Sequence, residues 1–235
     1  METQKQILIL RHHLLDMSKL THRAVDYAIK GYRLGSPEFC RFVRRSDLQL
    51  GELRRRVNAL CRRILMKDVV DPQSLMNEMV TDPDVRFTIS ALLICDALHA
   101  TCTAAFEIAH HTMMLIESAC SPACEALERL CYLANRMMCL SIVALFKNQN
   151  HHAETVLQNH EVIARLAGQA ASDLRSDATR RTAIPAALQL AITNSLSQIA
   201  RQAYTIAEAT VYWLAGHRNA LQPGAFPRLQ PSTTQ

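Results

Sequence analysis

The sequence predicts an all-α protein made of two tandem three-helix bundles that are related by an internal repeat. The pattern L-x6-A-[FY]-x-I-A occurs at Leu98–Ala109 and again at Leu196–Ala207, 98 residues later in a chain of 235 residues. Apolar residues recur at three- and four-residue spacing through most of the chain, which is typical of helices. No convincing run of alternating β-branched residues suggests a strand, and the chain has only 6 glycines.

The composition is that of an ordinary soluble globular protein. Hydrophobic residues make up 49% and charged residues 20% of the chain, and the net charge of +5 does not by itself imply a nucleic-acid ligand. The eight cysteines contain no C-x-x-C pair, so reduced and mostly buried thiols are expected. The N-terminus shows no secretory-signal pattern. Because Asp96 ends the apolar stretch Phe87–Cys95, we expect no membrane-spanning segment.

Prolines and capping residues delimit the predicted helices. Ser36-Pro37, Asp82-Pro83 and Ser121-Pro122 each place a capping side chain before a proline, which is a helix-start signature. Six long helices are predicted, at residues 4–34, 37–67, 83–118, 122–147, 149–178 and 184–216, with a short helical turn at 73–79.

Short connections make neighbouring helices antiparallel and group them in threes. We therefore predict a first bundle at residues 1–118 and a second at 119–217. Residues 218–235 contain three prolines and end in Ser-Thr-Thr-Gln, so they are predicted to form a disordered tail.

Two segments resemble a known family. The stretch Asp84–Ile94 resembles the D-L-R-F-x-x-A-A-L-K-I sequence of PhoU-type phosphate-uptake regulators. The segment Leu196–Gly216 is similar to that family's L-E-R-I-G-D-x-A-x-N-I-A-E-x-x-x-Y-x-x-x-G sequence. The resemblance covers about residues 7–217. It implies the two-bundle fold and a non-enzymatic role in phosphate regulation.

The metal-binding part of the family motif is altered in both halves. Where the family has Glu and Asp carboxylates that ligate divalent or ferric ions, the first half has His99 and Thr103, followed by Glu107. The second half has Ser197 and Arg201, and Arg201 places a positive charge where a cation would bind. We therefore predict no metal in the second half. A metal site at His99, Glu107 and His110 is the hypothesis for the first half, and a polar helix face is the alternative.

A second set of candidate residues concerns partner proteins. We expect Arg201, Ser197 and Thr103 to contribute to a polar docking face. Arg55 belongs to a basic segment that has nine Lys or Arg and two acids between Arg41 and Lys67. A dense basic segment is usually a solvated face, and it can also attract a protein or an anionic membrane surface. Few aromatic residues accompany it, so we do not expect nucleic acid.

No catalytic motif is present, so the chain is not expected to be an enzyme. The resemblance implies an adaptor between the ATPase subunit of the phosphate ABC transporter and a sensor histidine kinase. It further implies a homodimer in the cytoplasm, peripheral at the inner face of the inner membrane. The alternatives are a helical metal-binding protein and a basic scaffold that kept the fold but left the phosphate circuit.

Overall fold

A computed structural model describes residues 2–44, 46–66, 83–118, 125–178 and 183–219, and these residues form seven helices and no strand. In chain order the helices are α1 (Glu2–Leu34), α2 (Pro37–Arg44), α3 (Ser46–Leu65), α4 (Pro83–Glu117), α5 (Glu125–Lys147), α6 (Asn150–Ala178) and α7 (Ala183–Asn219). The predicted all-α class is confirmed.

The predicted helix 37–67 needs a correction, because two helices cover this part of the chain. α2 ends at Arg44 and α3 begins at Ser46, on either side of residue 45, which lies outside the described residues. Ser and Asp favour helix N-termini, so the pair Ser46-Asp47 is a local signal for the start of α3.

Three other predictions fall on parts of the chain that the structure does not describe. The helical turn at 73–79, the helix start at Ser121-Pro122 and most of the predicted tail lie outside the described residues. Residues 218 and 219 belong to the end of α7 rather than to the tail. The boundary between residues 118 and 119 remains a prediction.

The apolar stripe of α1 determines how the first half assembles. Leu10, Leu14 and Met17 are fully buried or nearly so. Thr21 Oγ1 donates to the carbonyl of Leu98 over 3.3 Å, so α1 and α4 pack side by side. They run parallel, and α2 and α3 form the returning arm.

The same local geometry ends the first helix of each half. Gly35 follows α1 with φ of 58°, and the amide of Ser36 donates to the carbonyl of Gly31 over 3.0 Å. Asn148 follows α5 with φ of 53°, and the amide of Gln149 donates to the carbonyl of Ala144 over 3.2 Å. Glycine and asparagine are the residues that adopt this left-handed capping conformation most readily.

α5, α6 and α7 form the second bundle, and the two bundles pack together mainly through α4 and α7. These two helices are antiparallel, because Ser90 Oγ donates to the carbonyl of Ala209 while Ser195 Oγ donates to the Glu107 carboxylate near the opposite ends. The antiparallel contact of two repeated helices gives the molecule an approximate twofold axis across the α4–α7 seam.

Side-chain detail repeats with the helices. The hydroxyls of Thr112 and Thr210 are both fully buried, and they donate over 2.7 Å to the carbonyls of Ile108 and Ile206. Each pair of equivalent residues is separated by 98 positions, the spacing of the sequence repeat. The predicted pair of three-helix bundles related by an internal repeat is therefore confirmed.

The expectation that no segment reaches membrane-spanning length needs a correction. Among the described residues, Pro83–Glu117 and Leu127–Lys147 are long and apolar enough by length and composition, with mean hydropathy of 1.6 and 1.4. Asp96 does not end the apolar segment, because an 18-residue window of this mean hydropathy can include a charged residue. About half of each window, 56% and 44%, is buried within the bundle, as is also found in core helices of soluble proteins, so this evidence for a membrane span is weak.

Candidate functional site

The candidate site is the solvent-facing side of the two repeated helices, here called the outer face. It consists of exposed positions at seven-residue spacing on α4 and the equivalent positions on α7: Asp96, Thr103, His110, Asn194, Arg201 and Glu208. Seven residues make about two helical turns, so each set of three forms one stripe along its helix.

The three metal-ligand candidates of the first half do not converge. The Glu107 carboxylate is held at the seam, where it accepts a hydrogen bond of 2.9 Å from Ser195 Oγ on α7. The His110 ring stacks with Phe106 and lines a cleft that also contains Arg41. Within the described part of the chain no group of three or more His, Cys, Asp or Glu side chains is arranged to hold a metal ion. Metal binding by His99, Glu107 and His110 stays a prediction without geometric support.

The second half presents a donor set that does not fit a cation. Arg201 is exposed at the position equivalent to Thr103. Ser197 Oγ donates to the carbonyl of Thr193 over 2.9 Å, and Thr205 Oγ1 donates to the carbonyl of Arg201 over 3.3 Å. Hard cations bind carboxylate and other oxygen ligands, and a guanidinium repels them. The motif positions Ser197, Arg201 and Thr205 on α7 therefore do not fit the metal that the fold family implies.

The partner-binding candidates fall in two places. Thr103 and Arg201 are exposed on the outer face, and Ser197 lies half-buried at its edge. Arg55 lies on α3, where its guanidinium contacts the Glu52 carboxylate at 2.7 Å and Arg56 contacts the same carboxylate at 3.0 Å. These hydrogen bonds, with that of Arg55 the larger cause, lower the pKa of Glu52 below its usual range. Arg55 is thus already engaged within its own helix.

A buried arginine ties the halves together, and the sequence reading did not identify it. Arg86, at the start of α4, is 2% exposed. Its guanidinium donates to the carbonyl of Tyr212 and lies 4.4 Å from the centre of the Tyr212 ring. On the neighbouring turn, Phe87 packs on Trp213 with ring centres 4.9 Å apart. These contacts join the first turn of α4 to the last turns of α7.

A cleft between α2 and α4 was also missed. It has a volume of about 240 Å³ and lies beside His110. The basic residues and the helical pattern were visible in the sequence. The neighbourhood of α2 and the second half of α4 was not, because it depends on the packing of the bundle.

The fold defines the class of protein: a duplicated three-helix bundle whose third helices pack antiparallel across an approximate twofold axis. No protein-family model and no curated protein matches this sequence. Solved structures do match, among them PhoU from Pseudomonas aeruginosa, with a TM-score of 0.82 and 21% identity over 91% of this chain and 99% of that chain. The phosphate transport system regulatory protein PhoU from Streptococcus pneumoniae matches with a TM-score of 0.76 and 19% identity, over 90% and 96% of the two chains. This chain therefore has the PhoU fold, as the sequence resemblance implied.

Proposed function

We propose that this chain regulates phosphate uptake. The observation that supports the proposal best is that the PhoU fold extends over 91% of this chain and 99% of the Pseudomonas aeruginosa structure, with no bundle missing. Sequence identity of 21% carries no function by itself. The proposal therefore rests on the fold together with the two motif-like segments at Asp84–Ile94 and Leu196–Gly216.

The mechanism we propose is that of an adaptor. The chain would connect the ATPase subunit of a phosphate ABC transporter with a sensor histidine kinase, in the cytoplasm at the inner face of the inner membrane, as a homodimer. A helix the length of α4, 35 residues, extends about 50 Å at 1.5 Å per residue. A stable interface buries about 800 Å² on each partner, which two such helices side by side can supply.

On this proposal the outer face is a docking surface rather than a metal site. Thr103 and Arg201 would contact the partner directly, with Ser197 and His99 at the edge. A positive Arg201 in place of a metal ion keeps the region attractive to carboxylates of a partner, without any bound cation.

A gene deletion tests the role in the cell. Loss of the chain is expected to raise a phosphate-starvation reporter in phosphate-rich medium, because the repression that the chain supplies is removed. An unchanged reporter at both high and low phosphate would exclude the phosphate role. It would favour the second candidate, a basic scaffold. The replacement of the family's Glu and Asp pairs at the motif positions of the outer face supports that candidate.

A binding titration tests the outer face. Arg201→Glu is expected to weaken binding of the purified transporter ATPase subunit by about tenfold, or about 1.4 kcal/mol, because a rim charge is reversed. Arg23→Glu is the matched control, since Arg23 is exposed on α1 and is not one of the residues of the outer face. Equal affinity of the wild type and Arg201→Glu would remove Arg201 from the interface.

Elemental analysis tests the metal hypothesis. Protein purified without an affinity tag is expected to contain far less than one metal ion per chain. Stoichiometric metal that disappears in His99→Ala would instead establish the helical metal-binding protein as the better candidate.

A further inference from the structure

The described arginines of the basic segment divide into those that form ion pairs and those that do not. Arg54 contacts the Asp96 carboxylate at 2.8 Å, and Arg55 and Arg56 share Glu52. Four other arginines are exposed and have no ion pair with any described residue: Arg41, Arg44, Arg62 and Arg63. Among the described residues of this segment, the arginines without an ion pair therefore lie on α2 and at the end of α3.

These two sets of arginines differ in their surroundings. Arg41 and Arg44 lie on α2 at the cleft described above, whereas no cavity adjoins Arg62 and Arg63 among the described pockets. The cleft is about 240 Å³ in volume, and α4 supplies its apolar lining: Phe106, Ala109, Met113 and Met114. The Arg44 guanidinium lies 5.9 Å from the centre of the Phe106 ring, so one positive charge sits directly above this lining.

The apolar lining is partly open to solvent. Met114, which lines the cleft, is 39% exposed. Methionines at a surface adapt their shape to apolar groups that contact them. Glu117 is the one acidic residue among the lining residues and stands with Met114 on the last turn of α4.

Among the described pockets, this cleft has no counterpart at the equivalent place of the second half. The residues 98 positions after Phe106 and His110 are Tyr204 and Glu208, and the Tyr204 ring is covered by His160, with ring centres 4.7 Å apart. An acidic residue thus replaces the His110 imidazole, and a histidine of α6 packs on the second aromatic ring where Arg44 lies over the first. The approximate twofold symmetry of the molecule is broken at this place.

We propose that this cleft binds an acidic segment of a partner protein. An apolar side chain of the segment occupies the Phe106–Met113–Met114 lining, and its carboxylates contact Arg41 and Arg44. Charge complementarity favours carboxylates, and the recessed apolar lining favours a side chain over a flat membrane surface. This inference goes beyond the proposed function, since it holds for an acidic partner inside or outside the phosphate system.

A peptide titration tests the proposal. The probe is a fluorescein-labelled 12-residue peptide made of repeated Glu-Leu-Leu-Glu units. The reference is the peptide of the same length made of repeated Lys-Leu-Leu-Lys units. The acidic peptide is expected to bind at least tenfold tighter than the basic one. Arg41→Glu/Arg44→Glu is expected to lower that affinity by at least tenfold. The double variant Arg62→Glu/Arg63→Glu makes the same charge change on the same arm and is expected to change affinity less than twofold.

Two further measurements separate the cleft from general electrostatics. Met114→Ser leaves the charge unchanged and is expected to weaken peptide binding about threefold or more, because the apolar contact is lost. Circular dichroism and a thermal melt check that each variant is folded. If Arg41→Glu/Arg44→Glu does not fold, the effect of Met114→Ser on peptide binding tests the proposal.

Each other outcome counts against the proposal. Equal losses in the two arginine double variants would mean that the whole arm attracts acidic peptides without a site. Binding to phosphatidylglycerol vesicles or to a 20-base-pair duplex that exceeds peptide binding, and that falls in both double variants, would assign the arm to a membrane or to nucleic acid. No peptide binding by the wild type at 50 mM salt would overturn the inference.

Discussion

At the scale of single residues, the sequence predicts exposure better than it predicts partners. Thr103 and Arg201 are exposed, as helical periodicity leads one to expect, because periodicity reports which side of a helix meets solvent. The hydrogen bond from Ser195 to Glu107 joins residues 88 positions apart. It depends on the register between α4 and α7, and no local pattern encodes that register.

The Arg86 side chain gives a prediction at this scale. Arg86→Ala is expected to lower the free energy of unfolding by about 3 kcal/mol, because the change leaves a cavity and removes the hydrogen bond and the ring contact that Arg86 makes with Tyr212. Urea unfolding followed by circular dichroism measures the loss. Arg23→Ala, an exposed arginine on α1, is the control and is expected to change stability by less than about 0.5 kcal/mol. Equal effects of the two substitutions would refute the structural role of Arg86.

At the scale of elements, helix starts at prolines were predicted correctly at Pro37 and Pro83, since capping chemistry is local. The division between α2 and α3 was not predicted, although Ser46 offered a signal. α2 has only eight residues. A helix of about two turns contains too few apolar positions for their spacing to show that it is a separate helix.

Gly31 lies where α1 and α2 are in close contact, and Gly168 on α6 serves as the comparison. A Cβ at Gly31 would lie 2.7 Å from the Cys40 Sγ, so Gly31→Ala forces a shift in packing and is expected to destabilise the fold by about 1–2 kcal/mol. Gly168, in the middle of α6, has no such neighbour within 4 Å. Gly168→Ala is therefore expected to stabilise the fold by up to about 1 kcal/mol, through helix propensity alone.

Thermal or urea denaturation of both variants decides the matter. In Gly31→Ala/Cys40→Ala the crowding sulfur is gone, so the cost of the alanine at position 31 is expected to shrink relative to its cost in the wild type. A Gly31→Ala variant as stable as Gly168→Ala would show that α1 and α2 do not pack as closely as described.

At the scale of the whole molecule, the fold was predicted from the internal repeat and the motif-like segments. The packing of the two halves against each other was not predicted, because the repeat shows that the two bundles are alike but not which of their surfaces are in contact.

The packing of the helices buries cysteines throughout the core. Burial raises the pKa of the Cys40 thiol to about 11 and those of Cys61, Cys95 and Cys131 to about 12.

These thiols predict a loss of stability at alkaline pH. In the unfolded chain a thiol ionises near pH 9, whereas in the fold it stays protonated, so the unfolded state loses protons first. Stability is therefore complete below pH 9 and falls as the pH rises from 9 toward 12. Each buried thiol is expected to contribute a loss of about 1 kcal/mol between pH 8 and pH 10.

Urea midpoints measured from pH 7 to pH 10 test this, with Cys131→Ala as the diagnostic variant. Its stability is expected to fall less steeply with pH than that of the wild type. Cys139→Ala removes an exposed thiol and is expected to leave the slope unchanged. Identical slopes for the wild type and Cys131→Ala would contradict the assignment of the effect to buried thiols.

The antiparallel seam between α4 and α7 has a consequence for how such a molecule diversifies. A chain containing only one bundle would form this contact with a second copy of itself, and every surface feature would then occur twice by symmetry. Covalent fusion of the two bundles frees each half to change alone. His110 at the cleft of one half and Glu208 at the equivalent position of the other are such independent changes, so the two halves present different chemistry to solvent although they share one fold.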